Sequence, residues 1–225
     1  MSRRSHCHSA SGLRDGIASG VVDDSTVANA EDEASVVALD VCILLNLSAT
    51  SRAEEILQAL PEQFAVADRA AGEVLFLRRG GGGPDAEERV PVDLAPLVAS
   101  GALTLLHLDT DKEVAAYVDF AAELDDGEAM TCALALCRNL AVATDDRKAQ
   151  RLLSAAAPAV PVYTTPGLLR RWAALRGVSA SELALVLAAI QDRARFVPGR
   201  RDPDTGWWKA ALGAKPPQAP PIGHH

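Results

Sequence analysis

Residues 35–39, 64–67, 103–107, 140–144 and 161–164 are short, mostly apolar runs separated by stretches of helical periodicity. Four or five consecutive apolar residues without alternation suit a strand buried on both faces, the condition of a parallel sheet covered by helices. Strands alternating with helices imply right-handed crossovers in a doubly wound sheet. The order therefore predicts an α/β chain: a three-layer α/β/α sandwich around a central parallel sheet of four to five strands. Hydrophobic residues make up 48% of the chain and aromatics only 4%, so Ala, Leu and Val must fill the core, which favours helices over a β-sandwich.

The flanks and connections read differently. Residues 1–34 are rich in Ser, Gly, Asp and Glu without sustained periodicity and predict a disordered N-terminal arm. The triplet His6-Cys7-His8 within it is adventitious metal-binding material at most. The domain is expected over 35–197, and 198–225 as a loose Pro-rich tail on which Trp207 and Trp208 can still dock. Ser51 and Glu54 read as a capping box after a loop, and Ser179 and Glu182 as another. Asp68 is expected to cap a helix running through Glu73 toward Leu77. Gly80 to Gly83 and Pro84 mark residues 79–92 as a flexible surface loop. Residues 111–124 predict an amphipathic helix with Val114, Val118 and Ala121 on its apolar face. Leu183, Leu187 and Ile190 read as core residues rather than an interface.

The chain carries 30 acidic and 22 basic side chains, a net charge of −8. Such a chain has no global attraction for nucleic acid or for an anionic membrane, so any polyanion must be held by a local basic patch or by bound metal. The cysteines, Cys7, Cys42, Cys132 and Cys137, show neither zinc-ligand nor disulfide-framework spacing, which points to a reducing, cytoplasmic compartment. No apolar run approaches the roughly 18 residues of a membrane span, and no secretory leader is expected.

In open parallel sheets, ligands bind beyond the carboxyl ends of the strands. Asp40 ends the first apolar run, and Asp145 and Asp146 end the fourth. Glu128 opens the helix entering the fourth strand, and Glu73 follows the second. Alone, each has an ordinary explanation as a cap, a turn residue or a solvated helix residue. Together on one edge they would repel by several kcal/mol unless cations neutralised them. Mg2+ or Mn2+ is the natural choice for an all-oxygen set, which could then orient a phosphodiester and activate water. Arg147, Lys148 and Arg151 after the fourth strand, with Arg78 and Arg79, are candidate phosphate contacts, against the plainer reading of a solvated basic face.

The sequence also resembles the PIN domain family, particularly a bacterial and archaeal branch of it. The likeness rests on residues 37–47 (Val-Ala-Leu-Asp, then Leu-Leu-Asn-Leu), 124–129 (Leu-Asp-Asp-Gly-Glu-Ala, like a D-x-GEA segment) and 142–149 (like a DD-x-x-AR segment). Residues 162–169 resemble that branch's last strand and helix, and 64–74 the strand and helix that end in its second acidic position. The similarity runs from about Val36 to Phe196. It implies a PIN-like sandwich in which Asp40, Glu73, Glu128 and Asp146 are the catalytic carboxylates. Asp40 and Asp146 would bind metal directly and Glu128 help to hold it, while Glu73 orients water or a second ion. Asp145 competes with Asp146 as a metal ligand, and Asn46 and Thr144 support the site. Val41 and Cys42 stand where relatives often carry Thr-Ser or Thr-Asn.

The resemblance implies a metal-dependent endoribonuclease acting on single-stranded RNA, of a kind that often forms homodimers and often serves as the toxin paired with a protein antitoxin. The alternative is a PIN-fold RNA- or protein-binding module with little catalysis. A haloacid-type hydrolase would want a second Asp where Cys42 stands, and a phosphoryl receiver would want its acidic pair beside the first strand rather than the fourth.

Overall fold

The computed structural model describes residues 35–72, 75–81, 83 and 85–213. Its centre is a five-stranded, wholly parallel sheet in the order β5-β2-β1-β6-β7. The strands are β1 (Val36–Leu39), β2 (Gln63–Ala67), β5 (Thr104–Leu106), β6 (Ala141–Ala143) and β7 (Val162–Tyr163). Each lies within one residue of an apolar run read from sequence. The α/β sandwich with a five-stranded parallel sheet is therefore as expected.

Alternation along β6 shows how both faces are covered. Val142 packs with Phe120, Cys132 and Leu153 from the helices α5 (Asp111–Ala121), α6 (Asp126–Arg138) and α7 (Arg147–Ala156). Its neighbours Ala141 and Ala143 face the other way, as a strand's two-residue period requires. There they join the larger cluster of Ile43, Ile56, Trp172 and Leu187. These come from α1 (Val41–Ala49), α2 (Ala53–Ala59), α8 (Thr165–Arg176) and α9 (Ala180–Ala189). Register pairs Ala38 with Ala65 and Leu39 with Ala143. Small side chains there let α6, buried along most of its length, lie close to the sheet.

Several local expectations give way to tertiary packing. Residues 41–49 form α1 rather than a loop; the segment is too uniformly apolar to show a helical stripe because nearly every side is covered. The Ser51 capping box does not form: Ser51 takes φ +57 and accepts a bond from Arg193, while Arg52 becomes the N-cap of α2. The helix expected from Asp68 stops after one turn as α3 (Asp68–Ala71), and Asp68 caps nothing with its side chain. Residues 76–78 and 89–91 form the antiparallel pair β3 (Phe76–Arg78) and β4 (Arg89–Pro91), so much of the expected loop is a hairpin. Gly80 in that hairpin has φ +76, and a Cβ there would stand 2.4 Å from Asp192 Oδ2.

Helix α5 turns two of its three expected core residues outward, Val114 46% and Val118 60% exposed, while Ala121 packs against the core and Glu113 is 4% exposed. The reason is Arg138, which donates to Glu113 Oε1 at 2.6 Å, to Asp109 Oδ2 at 2.9 Å and to the His107 carbonyl at 2.6 Å. Thr110 and Glu113 close a capping box beside this pair, in which Glu113 is buried and Arg138 half-buried. Leu183, Leu187 and Ile190 are core residues. Beyond Pro198 the chain is not simply a tail: α10 (Thr205–Leu212) docks through Trp208, which is 1% exposed. The N-terminal residues 1–34, with His6-Cys7-His8, and residues 214–225 lie outside the described residues. Between α4 (Ala95–Ala99) and β5, Gly101 with φ +75 reverses the chain after the helix.

Candidate active site

The ends of β1, β6 and β7 meet because their ladders continue one step past the strands. The Asp40 N–H donates to the Ala143 carbonyl at 2.9 Å, and the Thr144 N–H to the Tyr163 carbonyl at 3.0 Å. Asp40, Thr144 and Asp145 are thereby placed side by side at the C-terminal edge, each followed by a helix entrance.

Asp40 is 4% exposed. Its Oδ2 accepts from Thr144 Oγ1 at 2.6 Å and from the Cys42 thiol at 3.1 Å. Burial pushes the Asp40 carboxyl above its usual range, against the pull of those two donors. Cys42 thus occupies the position where a hydroxyl was expected and supplies a donor of its own. Its sulfur also accepts from the Asp145 N–H at 3.4 Å. Burial, with the charges of Asp40 and Asp145, holds the thiol protonated.

The adjacent pair Asp145-Asp146 divides its labour. Asp145 Oδ1 accepts the Thr165 N–H at 2.9 Å, and its Oδ2 accepts from Thr165 Oγ1 at 2.6 Å and from Asn46 Nδ2 at 3.0 Å. Asp145 therefore satisfies the first N–H of α8 and ties α1 to it. Burial raises its pKa to about 6. Asn46 also donates to Thr165 Oγ1 at 3.0 Å, so it supports Asp145 rather than Asp40 directly. Asp146 is the N-cap of α7, its Oδ1 accepting from Lys148 N at 2.7 Å and Ala149 N at 2.8 Å. Its other oxygen has no hydrogen-bond partner among the described residues.

Glu128 stands in the first turn of α6. Burial, then the charges of Asp125, Asp40 and Asp146, push its pKa up to about 7. The same Asp40, Glu128 and Asp146, behind burial, push the Cys132 thiol up to about 12. Glu128 thus lies within the fields of Asp125, Asp40 and Asp146, and Asp40 within that of Asp125. Asp125 was not a sequence candidate. Its signal was the D-x-x-E spacing to Glu128, whose N–H it caps at 2.9 Å. Glu73 lies outside the described residues. Gly72, just before it, lines an open cleft with Arg69, Asp125 and Asp126.

Among the described residues, no three His, Cys, Asp or Glu side chains stand together as a ready coordination set. The donor chemistry nevertheless fits a hard divalent cation. The set is all-oxygen, and Glu128, raised first by burial, also stands in the fields of Asp125, Asp40 and Asp146.

The basic candidates separate into two groups. Arg78 pairs with Glu87 and donates to the Asp192 carbonyl, and Arg79 pairs with Glu88, both on the β3–β4 hairpin. Arg147, Lys148 and Arg151 line an open groove beside the Asp146 cap. Among the described residues Cys42, Cys132 and Cys137 are free thiols, and no helix is long and apolar enough to cross a membrane. Comparison of the chain with protein families, characterised proteins and solved structures returns no match.

Proposed function

We propose that this chain is a PIN-like, metal-dependent endoribonuclease that hydrolyses phosphodiester bonds of single-stranded RNA. The observation that carries the reading is the placement of Asp40, Asp146 and Glu128 at the C-terminal edge of a parallel sheet, where burial first and then the charges of Asp125, Asp40 and Asp146 raise the Glu128 pKa to about 7. A carboxyl held in the field of neighbouring carboxylates is an arrangement a divalent cation relieves.

Asp40, Asp146 and Glu128 would hold Mg2+ or Mn2+, which when bound supplies charge neutralisation at phosphate and a more acidic water. Thr144 and the Cys42 thiol fix the Asp40 carboxylate through its Oδ2. Asp145 acts as a positioning residue, because both of its oxygens are engaged by Thr165 and Asn46. Glu128, raised to about 7 first by burial and then by its acidic neighbours, would give up that proton as the cation binds. Glu73, the fourth carboxylate, orients water. A cytoplasmic homodimer, and a toxin held by a protein antitoxin, are the setting this resemblance suggests.

A second reading, a PIN-fold RNA- or protein-binding module with little catalysis, draws on Val41 and Cys42, which stand where relatives often carry Thr-Ser or Thr-Asn. Incubating the full chain with end-labelled single-stranded RNA, in Mn2+ and in EDTA, separates the two. Metal-dependent internal cuts support the nuclease. RNA binding without cleavage in either condition supports the module.

A further inference from the structure

The chain is acidic overall, and most of its described arginines are spent on carboxylates: Arg52, Arg69, Arg78, Arg79, Arg138 and Arg171 among them. One groove departs from this pattern. Arg147, Lys148, Arg151, Arg200 and Arg201 are its lining residues, and no carboxylate lines it. Of the five, only Lys148 makes an ion pair among the described residues, with Glu123 at 3.9 Å.

Two separate segments bring these cations together. The first is the opening of α7, immediately after Asp146. The second is a turn closed by the Asp202 N–H donating to the Gly199 carbonyl at 3.0 Å, with Arg200 and Arg201 as its two central residues. The turn is braced from behind. Thr205 Oγ1 donates to the same Gly199 carbonyl at 2.6 Å, and Asp204 N to Asp202 Oδ1 at 2.8 Å. Phe196 packs edge-on against the buried Trp208, ring centroids 5.7 Å apart. Arg147 and Arg201 also line an adjoining cleft that reaches Thr164 and Phe196 and holds two carboxylates, Asp145 and Asp202. Five cations facing one open space of about 860 Å3 repel one another, and the repulsion is relieved by an extended polyanion rather than by a single small anion.

We propose that Arg200 and Arg201 form the second wall of a phosphate-binding groove, opposite Arg147, Lys148 and Arg151, along which a single-stranded RNA backbone runs past the Asp146 cap. The proposal rests on the nuclease reading for the identity of the polyanion. Each arginine neutralises a phosphate and releases its counterions, so each contributes about 0.7 to the slope of log affinity against log salt for a single strand.

The test is fluorescence anisotropy of a labelled single-stranded oligoribonucleotide with the full chain, titrated in EDTA at several KCl concentrations. It is run in an Asp40→Asn background so that cleavage plays no part. The Arg200→Ala/Arg201→Ala variant is expected to lose about 1.4 from the slope and to weaken at low salt, while Arg200→Lys/Arg201→Lys keeps the slope. A charge-matched control outside the groove, Arg89→Ala/Arg176→Ala, keeps the parental slope. An unchanged slope in the double alanine variant overturns the proposal. So does an equal loss in the control, or binding to anionic lipid vesicles with none to RNA. Because the assay needs no cleavage, an inactive wild-type chain with the expected slopes removes the nuclease reading and leaves the groove. A cleaving wild-type chain with unchanged slopes does the reverse.

Discussion

Thr144 Oγ1 donates a 2.6 Å hydrogen bond to Asp40 Oδ2, joining residues 104 positions apart that terminate adjacent strands. The acceptor is a buried carboxylate whose pKa burial has already raised. Thr144→Val leaves that oxygen with the Cys42 thiol as its remaining side-chain donor and is expected to cost about 1–3 kcal/mol in urea unfolding. Thr144→Ser keeps the donor and is expected to retain most stability and RNA cleavage. Cys42→Ser likewise keeps a donor and should cleave at least as well as wild type, whereas Cys42→Ala should be slower. Equal rates for the two Cys42 variants would show that the thiol does not orient Asp40.

Asp145 and Asp146 should separate cleanly on substitution. Asp145→Ala strands the Thr165 N–H and the Thr165 hydroxyl, each donating to Asp145 in the native structure, and is expected to lose roughly 1–3 kcal/mol per stranded group. Asp146→Asn keeps a capping oxygen, so its unfolding free energy should fall by less than about 1 kcal/mol while cleavage is lost. Denaturation and cleavage measured on the same preparations check both. A stable, inactive Asp145 variant beside an active Asp146 variant would exchange the two roles.

Two groups set opposite pH slopes. The Arg138 hydrogen bond, aided by the N–H groups of Asp109 and Thr110, lowers Glu113 to about 2. Its folded pKa lies below the unfolded one, so its stabilisation is present above the usual Glu range of about 4.3 and is lost as pH falls toward 2. Glu128 is the reverse, raised to about 7. Between about 4.3 and 7 the folded state binds the extra proton, so stability falls as pH rises through that window. Glu128→Gln should therefore be more stable than wild type at pH 8, with the gain shrinking toward pH 5. Glu113→Gln should flatten the acid limb. Urea midpoints across pH 3–8 measure both, and a Glu128→Gln curve parallel to wild type contradicts the raised pKa.

Trp208→Ala should cost about 3–5 kcal/mol, as for other buried aromatic truncations. Because Phe196 rests on Trp208 just before the Arg200–Arg201 turn, the same variant should also show a shallower salt dependence of RNA binding at temperatures where it remains folded. Wild-type salt dependence in a folded Trp208→Ala would uncouple α10 from the groove.

The strands were legible because a parallel strand covered on both faces has only one way to look: β1 is Val-Val-Ala-Leu, and β6 Ala-Val-Ala. Helix α1 was not, for the same reason turned around: covered on nearly all sides, it shows no stripe. Val114 and Val118 misled because the Glu113–Arg138 pair, assembled across 25 positions, outweighs them in choosing which face of α5 turns inward. At the site, strand ends pointed to Asp40, Asp145 and Asp146, but nothing local says which of two adjacent aspartates meets Thr165. Cys42 looked like a lost hydroxyl until its sulfur was found at 3.1 Å from Asp40. The pairing of Arg78 and Arg79 with Glu87 and Glu88 depends on a hairpin that the Gly-rich sequence concealed.

The rate of single-stranded RNA cleavage against Mn2+ concentration, for the full wild-type chain and for Asp40→Asn, tests the central claim most directly. The account predicts saturable, EDTA-sensitive cleavage by wild type and a loss of at least about 100-fold in Asp40→Asn, since even groups that only support metal ligands are worth 10–100-fold. Cleavage that needs no divalent metal, or an Asp40→Asn chain as fast as wild type, would contradict it.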